Sequence, residues 1–286
     1  MKLLFSTPLS SFSSSDPSLI MKSTFFSFLI SSALLLSAPS SMALSNTEAE
    51  ERGLEISQLT KLRDTGWIDN TADMLMTLRN RQGHESIREV KIKNLEQLDD
   101  GDKSLTNFNQ PKDVKGTSFL SFSHPQGADD QWLYLPALKR VKRISSSNKS
   151  GPFMGSEFAF EDLSSFEIQK YHYKYLADES INGFNSYKVE QYPVDKNSGY
   201  TRRIVWVDQV EYRLQKIDFY DRKDSLLKTL SYSQYQQYEN KFWRPDSMMM
   251  INHQTGKSTE LQWSNYQFRT GLKDSDFNKS ALKRNR

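Results

Sequence analysis

His84, His124, His172 and His253 are the imidazoles of this chain, and they are too scattered to suggest a metal-binding pair. Asp99, Asp100 and Asp102 form an acidic run that could begin a calcium loop. The residues after it lack the ligand pattern of such a loop, so the run reads as a hairpin tip. Glu157, Glu161 and Asp162 sit near an expected helix start, where carboxylates offset the positive end of the helix dipole. Their adjacency does not supply the geometry of a paired-carboxylate hydrolase. The chain has no Gly-x-Ser-x-Gly elbow and no phosphate-binding glycine loop. Asn148-Lys149-Ser150 and Asn278-Lys279-Ser280 match the glycosylation triplet, which carries no meaning in most bacteria. With 0 cysteines, thiol catalysis, cysteine–zinc sites and a cysteine-linked bacterial lipid anchor are excluded. Catalysis has no visible home, no cofactor or metal is implied, and the chain reads as non-enzymatic.

What remains is the chemistry of binding. Lys139, Arg140, Lys142 and Arg143 form a basic stretch, with Arg140 and Arg143 the candidates for contact with anionic headgroups or an acidic partner. The same stretch also fits a solvated strand or an edge protected by charge. Trp132 and Tyr134 alternate with Leu133 and Leu135, Ile204 shares a face with Trp206, and Leu261 shares one with Trp263. Strands apolar on both faces are either covered on both sides or sticky on one. Trp132, Tyr134 and Trp206 are candidates for a cavity wall, and Phe153, Phe158 and Phe160 for a lid over it. Each is equally consistent with ordinary core packing.

The elements that would position these residues are mostly strands. One helix is expected at the start, capped by Asn46 or Thr47, with Leu54, Ile56, Leu59 and Leu62 as its apolar face and an end near Gly66. From Met74 onward the apolar period is 2, in segments separated by turn signals such as Asn80–Gly83, Asp99–Asp102, Asn182-Gly183 and Gln254–Gly256. At the Asp-Gly pair the glycine is expected to supply a positive φ. About a dozen strands follow from this pattern. They are interrupted by a Ser/Asn/Gly-rich segment from Ser145 to Gly155 and a short helix over Ser156–Ser165. A helix followed by a long antiparallel meander is α+β, and a sheet of this size curls into a half-closed barrel needing a cover across its mouth. An incompletely filled concave face would be an apolar cavity, the usual position of a ligand site in such barrels.

The opening residues read differently. From Met21 come Lys22, an apolar stretch from Phe25 to Leu36, and Ser41-Met42-Ala43, the three parts of a secretory signal peptide. The expected division is therefore 1–43 as signal peptide, with Met21 an alternative start to Met1, and 44–286 as one domain without a stable membrane span. A net charge of +3 with 26% charged residues is ordinary for a protein surface and does not argue for nucleic acid.

Several phrases resemble the LolA-like family of outer-membrane lipoprotein-sorting proteins, in its larger branch of exported proteins. They are Asp130-Gln131-Trp132-Leu133-Tyr134-Leu135-Pro136, Arg140-Val141-Lys142-Arg143-Ile144, Phe153-Met154-Gly155-Ser156-Glu157-Phe158 and Phe160-Glu161-Asp162-Leu163. Further along come Tyr187-Lys188-Val189-Glu190, Ile204-Val205-Trp206-Val207-Asp208 and Gly271-Leu272 with Phe277. Glu157 stands where an Asp is more usual, and the carboxylate is kept. The resemblance implies a LolA/LolB-like unclosed antiparallel β-barrel with helices capping the concave face. It implies a periplasmic carrier or acceptor for acyl chains, of a lipoprotein or another lipophilic cargo, serving outer-membrane sorting or an export system. An inner-membrane exporter of the resistance-nodulation-division class is the implied partner system. A non-transporting interaction or sensing module on the same scaffold is the alternative.

Overall fold

The computed structural model describes residues 44–284. The first helix, α1 (Asn46–Arg63), is capped by Ser45 rather than by its two neighbours: Ser45 Oγ accepts from the Glu48 N–H, and the Glu48 carboxylate accepts from the Ser45 N–H. Its buried face is Ala49, Gly53, Ile56 and Ser57, while Leu54 and Leu62 are exposed, which corrects the expected leucine face. The reason is the closeness of its seat on β7 (Tyr171–Ile181). A Cβ on Gly53 would lie 2.7 Å from the Tyr175 backbone nitrogen, so small residues make the contact and leucines are turned away.

Thirteen strands follow in two meanders. The first comprises β1 (Asp69–Arg79), β2 (Glu85–Leu95), β3 (Lys103–Gln110), β4 (Ser118–Phe122), β5 (Asp130–Leu135) and β6 (Arg140–Ile144). After β7 come β8 (Phe184–Pro193), β9 (Tyr200–Asp208), β10 (Leu214–Asp221), β11 (Leu226–Tyr238), β12 (Phe242–Asn252) and β13 (Ser258–Phe268). Every pairing is antiparallel, and β1 joins the meanders by pairing with β13, Met76 opposite Leu261. One curved sheet results, with β6 and β7 as its free edges, an unclosed barrel.

The chain between those edges, residues 145–170, crosses the inner face of the sheet. Residues 156–165 are not the expected helix; of them only Phe160–Leu163 is helical, as a short 3-10 turn, and two further 3-10 turns lie at Ser146–Asn148 and Ile168–Lys170. The backbone of this insert is held partly by turns of its own, with the Phe153 N–H donating to the Phe158 carbonyl (2.7 Å) and the Phe160 N–H to the Gly151 carbonyl (3.1 Å). It is held partly by the sheet: Arg88 Nη1 donates to the Met154 carbonyl (2.6 Å), and the Glu157 N–H donates to Thr259 Oγ1 (3.0 Å). Phe153 packs within 5.9 Å of both Phe108 and Phe119, closing one half of the barrel. On the outer face, the segment after β13 covers β3–β5 through Phe277, Ala281 and Leu282. At the β2–β3 turn Gly101 does not need a positive φ. A Cβ there would lie 2.4 Å from the Ser123 carbonyl, so close approach is what requires glycine.

Candidate functional site

The half of the barrel that the insert leaves unfilled is a cavity of about 1150 Å³. Val205, Val207, Ile217, Leu230, Met248 and Leu261 form its floor, from five adjacent strands, β9 to β13. Alternation along each strand puts these residues inward and their neighbours outward. Phe158, Leu163 and Phe166 of the insert also line it, as do Trp67 and Trp263. The volume is slightly above the range that small-molecule sites occupy, roughly 300–1,000 Å³.

The rim is polar and largely paired. Lys61 Nζ on α1 lies 3.2 Å from the buried Glu167 carboxylate, and Arg213 Nε donates to Asp208 Oδ2 at 2.7 Å. Burial acts to raise the Asp208 carboxyl, but hydrogen bonds from the Glu211 and Arg213 N–H groups and the Arg213 charge hold it below its usual value. Asp102, also on the rim, goes the other way. Burial pushes its carboxyl up to about 6, with Lys61 only partly opposing. Beneath the insert, Lys228 Nζ donates to Asp162 Oδ2 (2.7 Å) and to the Glu157 carbonyl (2.8 Å), while Tyr200 donates to Asp162 Oδ1 (2.8 Å). Asp162 therefore anchors the insert to the sheet while also accepting from the Ala159 N–H (2.7 Å) at the start of the short 3-10 turn.

Of the aromatic candidates, Phe158 lines the cavity. Phe153 and Phe160 belong to the packed half, stacked edge to face at 5.7 Å. Trp132, Tyr134 and Trp206 lie on the opposite face of the sheet from the cavity. Trp132 and Tyr134 are in the outer core under the C-terminal segment, with Phe122 5.3 Å from Trp132. Trp206 lies between Lys188 and Lys216, whose Nζ atoms are 5.1 and 3.8 Å from its ring. Their inward neighbours Leu133, Val205 and Val207 face the core and cavity instead. Arg140 and Arg143 are exposed on the free edge β6, where Arg143 pairs with Asp130 at 2.5 Å, away from the cavity. Among the described residues, no cluster of His, Cys, Asp or Glu is arranged to hold a metal ion. His124 instead lies 3.0 Å from Asp100 at the hairpin tip.

An unclosed, curved antiparallel sheet with few helices is the fold of the LolA-like class. A family model described as "Uncharacterized protein" matches residues 100–284. A crystallised domain from Vibrio parahaemolyticus, described as outer membrane lipoprotein-sorting, is 61% identical with a TM-score of 0.81, covering 82% of this chain and 100% of that one. A DUF1329 family protein from Desulfovibrio piger is 31% identical with a TM-score of 0.78, covering 82% of this chain and 99% of that one. A LolA superfamily protein from Nitrosomonas europaea shares the fold at 21% identity and a TM-score of 0.62, covering 84% of this chain and 100% of that one. No curated protein matches. The chain belongs to the LolA-like family of outer membrane lipoprotein-sorting and DUF1329 proteins.

Proposed function

We propose that this protein is a periplasmic carrier or acceptor that holds the acyl chains of a lipoprotein, or of another lipophilic cargo, between its sheet and its insert. The observation that carries this is the apolar cavity of about 1150 Å³, floored by strands and walled by Phe158 of the insert. Its binding energy is the burial of methylenes, about 0.8 kcal/mol each before the costs of association. The description of the Vibrio parahaemolyticus relative supports the lipoprotein end of this range of cargoes. Residues 1–43 act as the export signal, and 44–286 are the carrier domain. Among the described residues no helix is long and apolar enough to cross a membrane.

Native mass spectrometry with lipid extraction, and titration with an uncharged fluorescent lipophile, test the reading. Lipid co-purifies, the probe binds, and Leu261→Trp, which puts an indole into the floor, weakens the probe at least tenfold. A protein that stays free of lipid and takes up no probe refutes the carrier role. The second reading, an interaction or sensing module beside an envelope exporter, draws on edge strand β6, where Arg140 and Lys142 are exposed. Cross-linking to a stable protein partner without lipid transfer supports that reading instead.

A further inference from the structure

Arg203 is on β9 among the cavity-lining residues, two positions before Val205 of the floor. Its guanidinium carbon lies 4.0 Å from the centre of the Tyr171 ring and 5.6 Å from that of Phe166. Its Nε donates to Gln191 Oε1 at 2.6 Å. Among the described residues, its other N–H groups have no hydrogen-bond partner and no carboxylate lies within 4.0 Å. The carboxylates on this side are engaged elsewhere. Glu161 takes hydrogen bonds from Ser198 and Gly199, Asp162 holds Lys228 and Tyr200, and Glu167 holds Lys61.

Tyr171 and Tyr232 also line the cavity, and their hydroxyls have no partner among the described residues, unlike Tyr173, which donates to the Ile168 carbonyl. Burial raises both phenols above their ordinary value, so both stay O–H donors at neutral pH. An apolar cavity therefore carries a cation and two hydroxyls with unspent donors. Arg203 is half-buried with its remaining N–H groups open to the cavity, where its fork suits a carboxylate or phosphate.

Building on the acyl-binding reading, we infer that the occupant is an acyl chain ending in a compact anion, bound at its charged end by Arg203 with Tyr171 and Tyr232. A neutral glyceride-type head would leave the guanidinium unmet.

Displacement of uncharged N-phenyl-1-naphthylamine at pH 8 tests this, with palmitate, monohexadecyl phosphate and methyl palmitate as competitors. At least one of the two anions displaces the probe at a concentration roughly ten- to a hundredfold below the ester. Whichever anion is tighter tells a fatty-acid source from a phospholipid one. Arg203→Met removes that preference, so that acid, phosphate and ester displace the probe at similar concentrations, and Arg203→Lys keeps part of it. Equal displacement by acid, phosphate and ester in the wild type overturns the Arg203 assignment while leaving the acyl cavity standing, as does a preference that survives Arg203→Met. If the probe itself does not bind, the acyl-binding reading falls and this inference with it.

Discussion

Replacing Lys228 by methionine removes the cation that pins the insert to the sheet. Lys228 and Asp162 are 4% and 5% exposed at their side chains, and their contact is 2.7 Å. Lys228 Nζ also donates to the Glu157 carbonyl, and its ring neighbours are Tyr200 and Phe219, each 5.3 Å away. Without it, Asp162 keeps the Tyr200 hydroxyl and the Ala159 N–H but loses its counter-charge in a dry site. Breaking such a pair from one side costs about 3–5 kcal/mol, because the surviving charge stays buried and unmatched. Removing both charges, in Lys228→Met with Asp162→Leu, should cost clearly less than the sum of the single changes. Urea unfolding of the four proteins gives these differences. Limited proteolysis within residues 145–170 reports whether the insert lifts, and probe affinity falls with it, since Phe158 and Leu163 are cavity wall. A loss below about 1 kcal/mol for Lys228→Met, or strictly additive single effects, refutes the anchoring argument.

Trp132→Ala should cost about 3–5 kcal/mol by emptying the outer core, yet leave probe affinity unchanged, because Trp132 faces away from the cavity; equilibrium unfolding and probe titration together check this. Gly53→Ala should loosen α1 from β7 at a cost of about 1–3 kcal/mol by thermal or urea unfolding, since the atoms its Cβ meets are backbone, at 2.7–2.9 Å. Asp102→Asn should stabilise the protein above pH 6. The native carboxyl titrates near 6 against an ordinary 3.8, so the folded state binds the proton more tightly, and stability from this group falls as pH rises through that window. The gain should approach about 3 kcal/mol at most at pH 8 and vanish below about pH 4, as read from urea midpoints across pH.

Much of the architecture was legible locally. Period-2 alternation and Gly/Asn/Asp turns mark the segments that become β1 to β13, because a half-buried strand writes its pleat directly into the order of residues. The pairing of Trp132 with Tyr134, and of Ile204 with Trp206, on common faces was equally readable. Of the short helix expected from Ser156 only a 3-10 turn forms, because the insert's backbone is tied into non-helical turns of its own, such as the Phe153 N–H to the Phe158 carbonyl, and to Arg88, Thr259 and Lys228, which are remote in sequence. Arg203 carried no local signal either, since an arginine in an alternating strand looks solvated until its neighbours are known.

Alternation names two faces of a strand without saying which is inside. Large aromatics suggested the cavity side, whereas the C-terminal segment folds over the outer face and gives Trp132 and Tyr134 a core of their own. Residue order thus settled what lies beside what along each strand, where contacts are two positions apart. Which face encloses the empty space followed from curvature, from the pairing of β1 with β13, and from where the insert stops filling the barrel. Those depend on contacts between residues far apart in the chain, which short-range spacing does not encode.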